Sequence, residues 1–206
     1  MELKRVLNIL EDISRGKHSD SFYLLGQSKE LFKITSQEVP CADSRNQGEQ
    51  IKSAISLHNK LRNLPQSLLE TKAYLRASAG FLLTNYGDKK TGSVCSCIKI
   101  FVRACQELVS FPPDGSYAAL SCVNAGLNCW QEISTQALSR FLSPVDYSEL
   151  RISVFHGYLE RSRLLLHLQP ADYQTEMRLS LSRGLEFLRT MPPSIKNAFS
   201  KNAVII

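Results

Sequence analysis

Two adjacent stretches constrain this chain most. The first, Ile98 to Ser110, places Ile98, Phe101, Val102, Cys105, Leu108 and Val109 at helical spacing on one face. The second, Ser116 to Trp130, does the same with Ala119, Leu120, Val123, Gly126 and Leu127. Between them lies Phe111-Pro-Pro-Asp-Gly115, a turn. Ala119 and Gly126 are small enough to admit close approach, so both are expected to face a neighbouring helix. Two amphipathic helices joined by a short turn bury their apolar faces by folding back on each other and stacking on further pairs. That is the grammar of an α-solenoid, an architecture that usually binds proteins rather than catalysing reactions.

The rest of the chain continues the helical period. A first helix is expected from about Leu3 to Ser14, with Leu3, Val6, Leu7, Leu10 and Ile13 on one face. A second runs to about Thr35, capped by Asp20 or Ser21. Ser36 to Gly48 is the most loop-like stretch, rich in turn formers. A third helix covers about Glu49 to Asn63. Pro65 opens a fourth, from about Gln66 to Tyr86, because a first-turn amide has no intrahelical partner to lose. The pair described above follows, its second member continuing through Glu132 and Ile133 towards Leu142, either straight or bent near Ser134-Thr135. Ser143-Pro144 makes a stop. A seventh helix covers about Tyr147 to Leu168. An eighth, capped by Asp172, ends before Pro192-Pro193. No stretch alternates as a strand, so the expected fold class is all-α: antiparallel helix pairs.

Net charge is +6 with a pI near 9.0, which permits contact with acidic surfaces. The basic residues are scattered. The densest group, Arg151, Arg161, Arg163, Arg178, Arg183 and Arg189, is interleaved with Glu149, Glu160, Glu176 and Glu186, and reads as a solvated face of mixed charge. No run approaches the roughly 18 apolar residues of a membrane span. The acidic, amphipathic start, Met1 to Asp12, is unlike a secretory leader. Unpaired thiols in helical apolar patterns fit an intracellular, reducing setting.

Little local chemistry is present. Cys95-Ser-Cys97 is the one close pair among Cys41, Cys95, Cys97, Cys105, Cys122 and Cys129. No second Cys/His pair stands at zinc spacing, so no metal site is expected. His18 reads as a loop residue, and His58, His156 and His167 as half-buried or surface residues. Gly87-Asp-Lys-Lys-Thr-Gly92 lacks a phosphate loop's ending and preceding strand, and reads as a helix–helix turn. Trp130, the single tryptophan, reads as an inter-helix packing residue. No catalytic residue, cofactor site or partner-binding residue is assigned, and the chain reads as a non-enzyme.

Gly126-Leu127 and Gly184-Leu185 fall at equivalent places in the second helices of successive pairs, at a separation larger than the regular period of about 34 residues in tetratricopeptide (TPR) repeats. The expected architecture is therefore a degenerate TPR-like α-solenoid. Residues 1–47 form N-terminal helices and a polar loop, 48–192 the repeat region, and 193–206 a tail. The apolar end Ala203-Val-Ile-Ile206 reads either as a docked terminus or as a chain cut before its cap.

Three blocks resemble the N-terminal region of a meiotic TPR-scaffold family, the sporulation/synapsis-initiation proteins of the ZMM crossover group, known in animals as a testis-expressed meiosis protein. They are Tyr74-Leu-Arg-Ala-Ser-Ala-Gly-Phe-Leu-Leu83, the pair within Ile100 to Trp130, and Phe155 to Pro192, where Pro170-Ala-Asp-Tyr173 leads into a helix ending Leu188-Arg-Thr-Met-Pro192. The likeness is one of order and spacing across most of residues 50–192. It implies a non-enzymatic scaffold in the nucleus, on meiotic chromosomes, whose partners are crossover and synapsis factors. It carries no partner-binding residue onto this chain. The alternatives are a generic helical-repeat adaptor and a basic helical-repeat nucleic-acid binder, which would present a continuous basic face and bind in a salt-sensitive way. An enzyme built on a Cys–His pair brought together in space is more remote.

Overall fold

The structure, a computed structural model, describes residues 8–12, 15, 20–37, 44–87, 90–133, 138 and 141–193, with residues 44–51 and Thr91 described by backbone alone. These residues are helical, with no strand among them. Among the described residues, seven full α-helices follow one another: α1 (Ser21–Gln37), α2 (Ser44–Leu61), α3 (Leu69–Tyr86), α4 (Thr91–Leu108), α5 (Asp114–Glu132), α6 (Pro144–Leu168) and α7 (Tyr173–Arg189). From α2 onwards each helix packs on its successor, while α1 packs on α3 and α4 on α6. Residues 8–12 are helical; the rest of the expected first helix, and the tail from 194, lie outside the described residues.

Helix ends explain where the boundaries move. Asp20 caps α1 as expected, its carboxylate accepting from the Phe22 amide at 2.9 Å. α2 starts at Ser44, so the loop expected up to Gly48 is helical in its last five residues. Arg, Gln and Glu are good helix formers, and one glycine costs only about 1 kcal/mol when Ala54, Leu57 and Leu61 anchor the helix downstream. Pro65 opens a 3-10 turn, Gln66–Leu68, before α3. α4 begins two turns earlier than its strongest apolar stripe, because Cys95 and Cys97 continue the buried face. α5 does not continue towards Leu142: Ile133 is extended, at φ −88° and ψ 129°. Ser143-Pro144 is less a stop than a start. The Ser143 hydroxyl accepts from the Asp146 amide and Pro144 occupies the first turn of α6. Asp172 stands at the N-cap of α7, but its side chain makes no capping bond.

The core falls into two clusters that share α3. One gathers Leu10, Leu24, Leu31, Leu57, Leu61, Leu75, Ala79 and Leu82. The other centres on Phe101 and draws on α3 to α6. Phe101 is fully buried between two glycines. A Cβ on Gly80 of α3 would stand 2.8 Å from its ring, and one on Gly126 of α5 would stand 3.2 Å from its own Cβ. Gly126 and the fully buried Ala119 thus face neighbouring helices, as their size suggested. Cys97 lies near Cys129, Phe101 against Gly126, and Cys105 near Cys122. This order reverses along the two helices, so α4 and α5 are antiparallel.

Candidate partner-binding groove

α5 and α7 both pack on α6, and a groove opens between them. It is a pocket of about 470 Å³ lined by Trp130, Gln131 and Ile133 from the end of α5, Tyr158 from α6, and Arg183, Glu186, Phe187 and Thr190 from α7 and its end. That volume lies within the range of small-ligand and anchor-residue pockets. Trp130 meets Phe187 edge-on, with ring centroids 5.4 Å apart. Tyr158 forms the floor and is largely buried.

The neighbouring side chains lock these aromatics in place. The Arg151 guanidinium lies 5.1 Å from the Phe187 ring and 5.6 Å from that of Tyr147. It also donates to the Thr190 hydroxyl. Further along α6, Arg161 ties three helices together. Its Nε donates to Asn124 Oδ1 of α5 at 2.7 Å, and its Nη2 donates to Glu176 Oε2 of α7 at 2.6 Å. This pairing holds the Glu176 carboxyl below its ordinary range. The helices bordering the groove are therefore fixed by α6, while its rim residues Gln131, Arg183 and Glu186 stay exposed. Such a site can seat an aromatic or aliphatic anchor and pair its flanking polar groups with Arg183 or Glu186.

The arginine-rich region does not form a stripe. Arg151 and Arg161 are engaged as above, and Arg163 pairs with Glu160 at 3.4 Å. Arg178, Arg183 and Arg189 are left exposed on α7.

Of the residues singled out for their chemistry, Cys97 lies near Cys129 and Cys105 near Cys122. Cys95, Cys97, Cys105, Cys122 and Cys129 are free and buried, and Cys41 and His18 lie outside the described residues. Burial pushes the Cys97 thiol up to about 11 and Cys105 to about 12, so neither is a thiolate at neutral pH. Among the described residues no three His, Cys, Asp or Glu side chains gather as a metal-holding group. No helix there is long and apolar enough to cross a membrane. Trp130 does pack between helices, and it also walls the groove, a role its sequence neighbours did not signal.

Two histidines titrate below their ordinary value of 6.5. His58 is held down by burial first and then by the Arg76 and Arg62 cations, and its Nδ1 is buried without a hydrogen-bond partner among the described residues. For His156 burial again leads, with Glu160 opposing it and Arg163 adding to it. The unfolded chain therefore takes up protons below pH 6.5 that the folded chain declines. Stability is present above that pH and falls as the pH drops below it. Urea unfolding between about pH 7.5 and about pH 5.5 should show this loss, with a shallower fall for His58→Asn. Stability that is flat or rising on acidification would contradict it.

No known family's sequence model matches this chain, and no curated protein or solved structure does.

Proposed function

We propose that this chain is a non-enzymatic protein-interaction scaffold, built as a degenerate TPR-like solenoid and serving meiotic crossover formation and chromosome synapsis. The observation that carries the scaffold reading is the groove between α5 and α7, an open surface channel with Trp130, Tyr158 and Phe187 in its lining. Stacked repeats leave such channels because each pair buries its apolar face only against its neighbours. The packing of α4 on α6, first helices of successive pairs, supports the stacked arrangement. At the N-terminal end the contact two helices apart is α1 on α3, second helices in this frame, and this change of pattern fits a degenerate array.

The meiotic assignment, with a place on chromosomes in the nucleus, rests on the three blocks between Tyr74 and Pro192. It is tested in cells. A null mutant should lose crossovers or synapsis while vegetative growth stays intact. Normal crossover number and segregation would reject the meiotic role and leave a general helical-repeat adaptor. Direct nucleic-acid binding gains no support from the described arginines, since half of the densest group is engaged within the protein.

A further inference from the structure

α7 turns Ser180 and Gly184, its buried residues, towards α6. Ser180 donates to the Tyr158 carbonyl at 3.1 Å, and a Cβ on Gly184 would stand 3.2 Å from that of Tyr158. Two flanks of α7 remain. One carries Arg183 and Phe187 and borders the groove. The other carries Leu181, Leu185 and Leu188 at i, i+4 and i+7, the spacing of one helix face. Leu181 is 37% exposed and Leu185 55%. Arg178 and Arg189 lie beside this stripe, exposed and without an ion pair among the described residues. The two acids of α7 point elsewhere: Glu176 is bound by Arg161, and Glu186 lines the groove.

We infer that this second flank docks an acidic amphipathic helix of a partner protein. The inference rests on the scaffold reading and names the partner's chemistry. A leucine stripe of this spacing is complemented by the apolar face of another helix, packed ridge into groove. Two exposed arginines at its border, unpaired among the described residues, select carboxylates on that helix. The same charges argue against the other occupants. A second copy docked symmetrically would bring Arg178 and Arg189 close to their own counterparts. Residues 194–206 of this chain carry Lys196 and Lys201 and no acid.

The test uses the full chain and a fluorescent helical probe peptide of about 18 residues, matching the length of α7 at about 1.5 Å per residue. Its leucines repeat at i, i+4 and i+7 and its flanks are glutamate; a second peptide has lysine flanks. The glutamate peptide should bind saturably. Arg178→Glu with Arg189→Glu should weaken it about tenfold or more and restore binding of the lysine peptide. Leu185→Asp should abolish both, with an unchanged circular dichroism spectrum. Equal binding of the two peptides, indifference to the arginine reversals, or displacement by single-stranded DNA would overturn the inference. So would a chain that sediments as a dimer until Leu185→Asp is introduced. The peptide measurement is independent of crossover counts, so this surface and the meiotic scaffold reading can fail separately.

Discussion

Phe101→Ala should destabilise the chain by about 3–5 kcal/mol, the cost of truncating a fully buried aromatic. Phe101 sits at the centre of the larger core cluster. Its ring packs edge-on against Phe81, with centroids 4.9 Å apart. Phe81 meets Phe32 at 5.8 Å, and Phe32 meets Tyr74 at 5.6 Å, so an aromatic chain runs from α4 through α3 to α1. The glycines around the ring make the site unforgiving: Gly80 and Gly126 carry no side chain that could turn into the space left behind. Urea unfolding at constant m-value measures the loss. A change under about 1 kcal/mol would mean that the helices close over the cavity. A double-mutant cycle sharpens the test. Gly80→Ala alone forces its new methyl against the Phe101 ring, at 2.8 Å, and should destabilise. In the Phe101→Ala background that clash is gone, so the two changes should be strongly non-additive.

The burial of Phe101 is legible in the amino-acid pattern. Ile98, Phe101, Cys105 and Leu108 recur at helical spacing, and all four are buried. Gly126 is legible for the same reason, since a small residue in an apolar stripe signals close approach. Helix starts are less so. Residues 44–48 and 91–97 are dominated by Ser, Thr, Gly, Asn and Cys, whose local preferences favour caps and turns or are weakly helical. Downstream packing overrides those preferences. The groove is not legible at all. Trp130 and Phe187 meet only because α5 and α7 both choose α6 as a partner, and helical periodicity says which face is buried without saying against what. The Arg161 clamp fails to announce itself in the same way. Arg161 and Glu176 lie in a stretch whose alternating signs read as a solvated face, and only the fold turns one of those pairs inward.

Leu31→Ala should cost about 2–5 kcal/mol, and the loss should be local. Leu31 is fully buried in the cluster shared by α1, α2 and α3. Within α3, Leu75, Ala79 and Leu82 belong to that cluster, whereas Ala73, Tyr74 and Ala77 belong to the one around Phe101. α3 is thus a wall with a core on each side. Leu24 and the Phe32 contacts with Tyr74 and Phe81 also tie α1 to α3, and the remaining ties are polar. Lys29 of α1 reaches Glu70 at 3.2 Å and Asp114 at 3.1 Å, but these groups are partly exposed, and such pairs contribute about 0–1 kcal/mol each. They add little, so shortening Leu31 weakens the apolar anchoring on which α1 mainly depends. Stacked helices couple mainly to their neighbours, so the end of the stack should open before its centre. Hydrogen exchange on Leu31→Ala should therefore quicken in α1 while amides of α5 and α6, closed over Val123, Leu150 and Val154, keep their protection. Uniform quickening across every helix would mean that the two clusters unfold as one unit. The wall of α3 would then transmit the loss, and the chain would behave as an ordinary globular bundle in which a partner bound at α7 could stabilise α1.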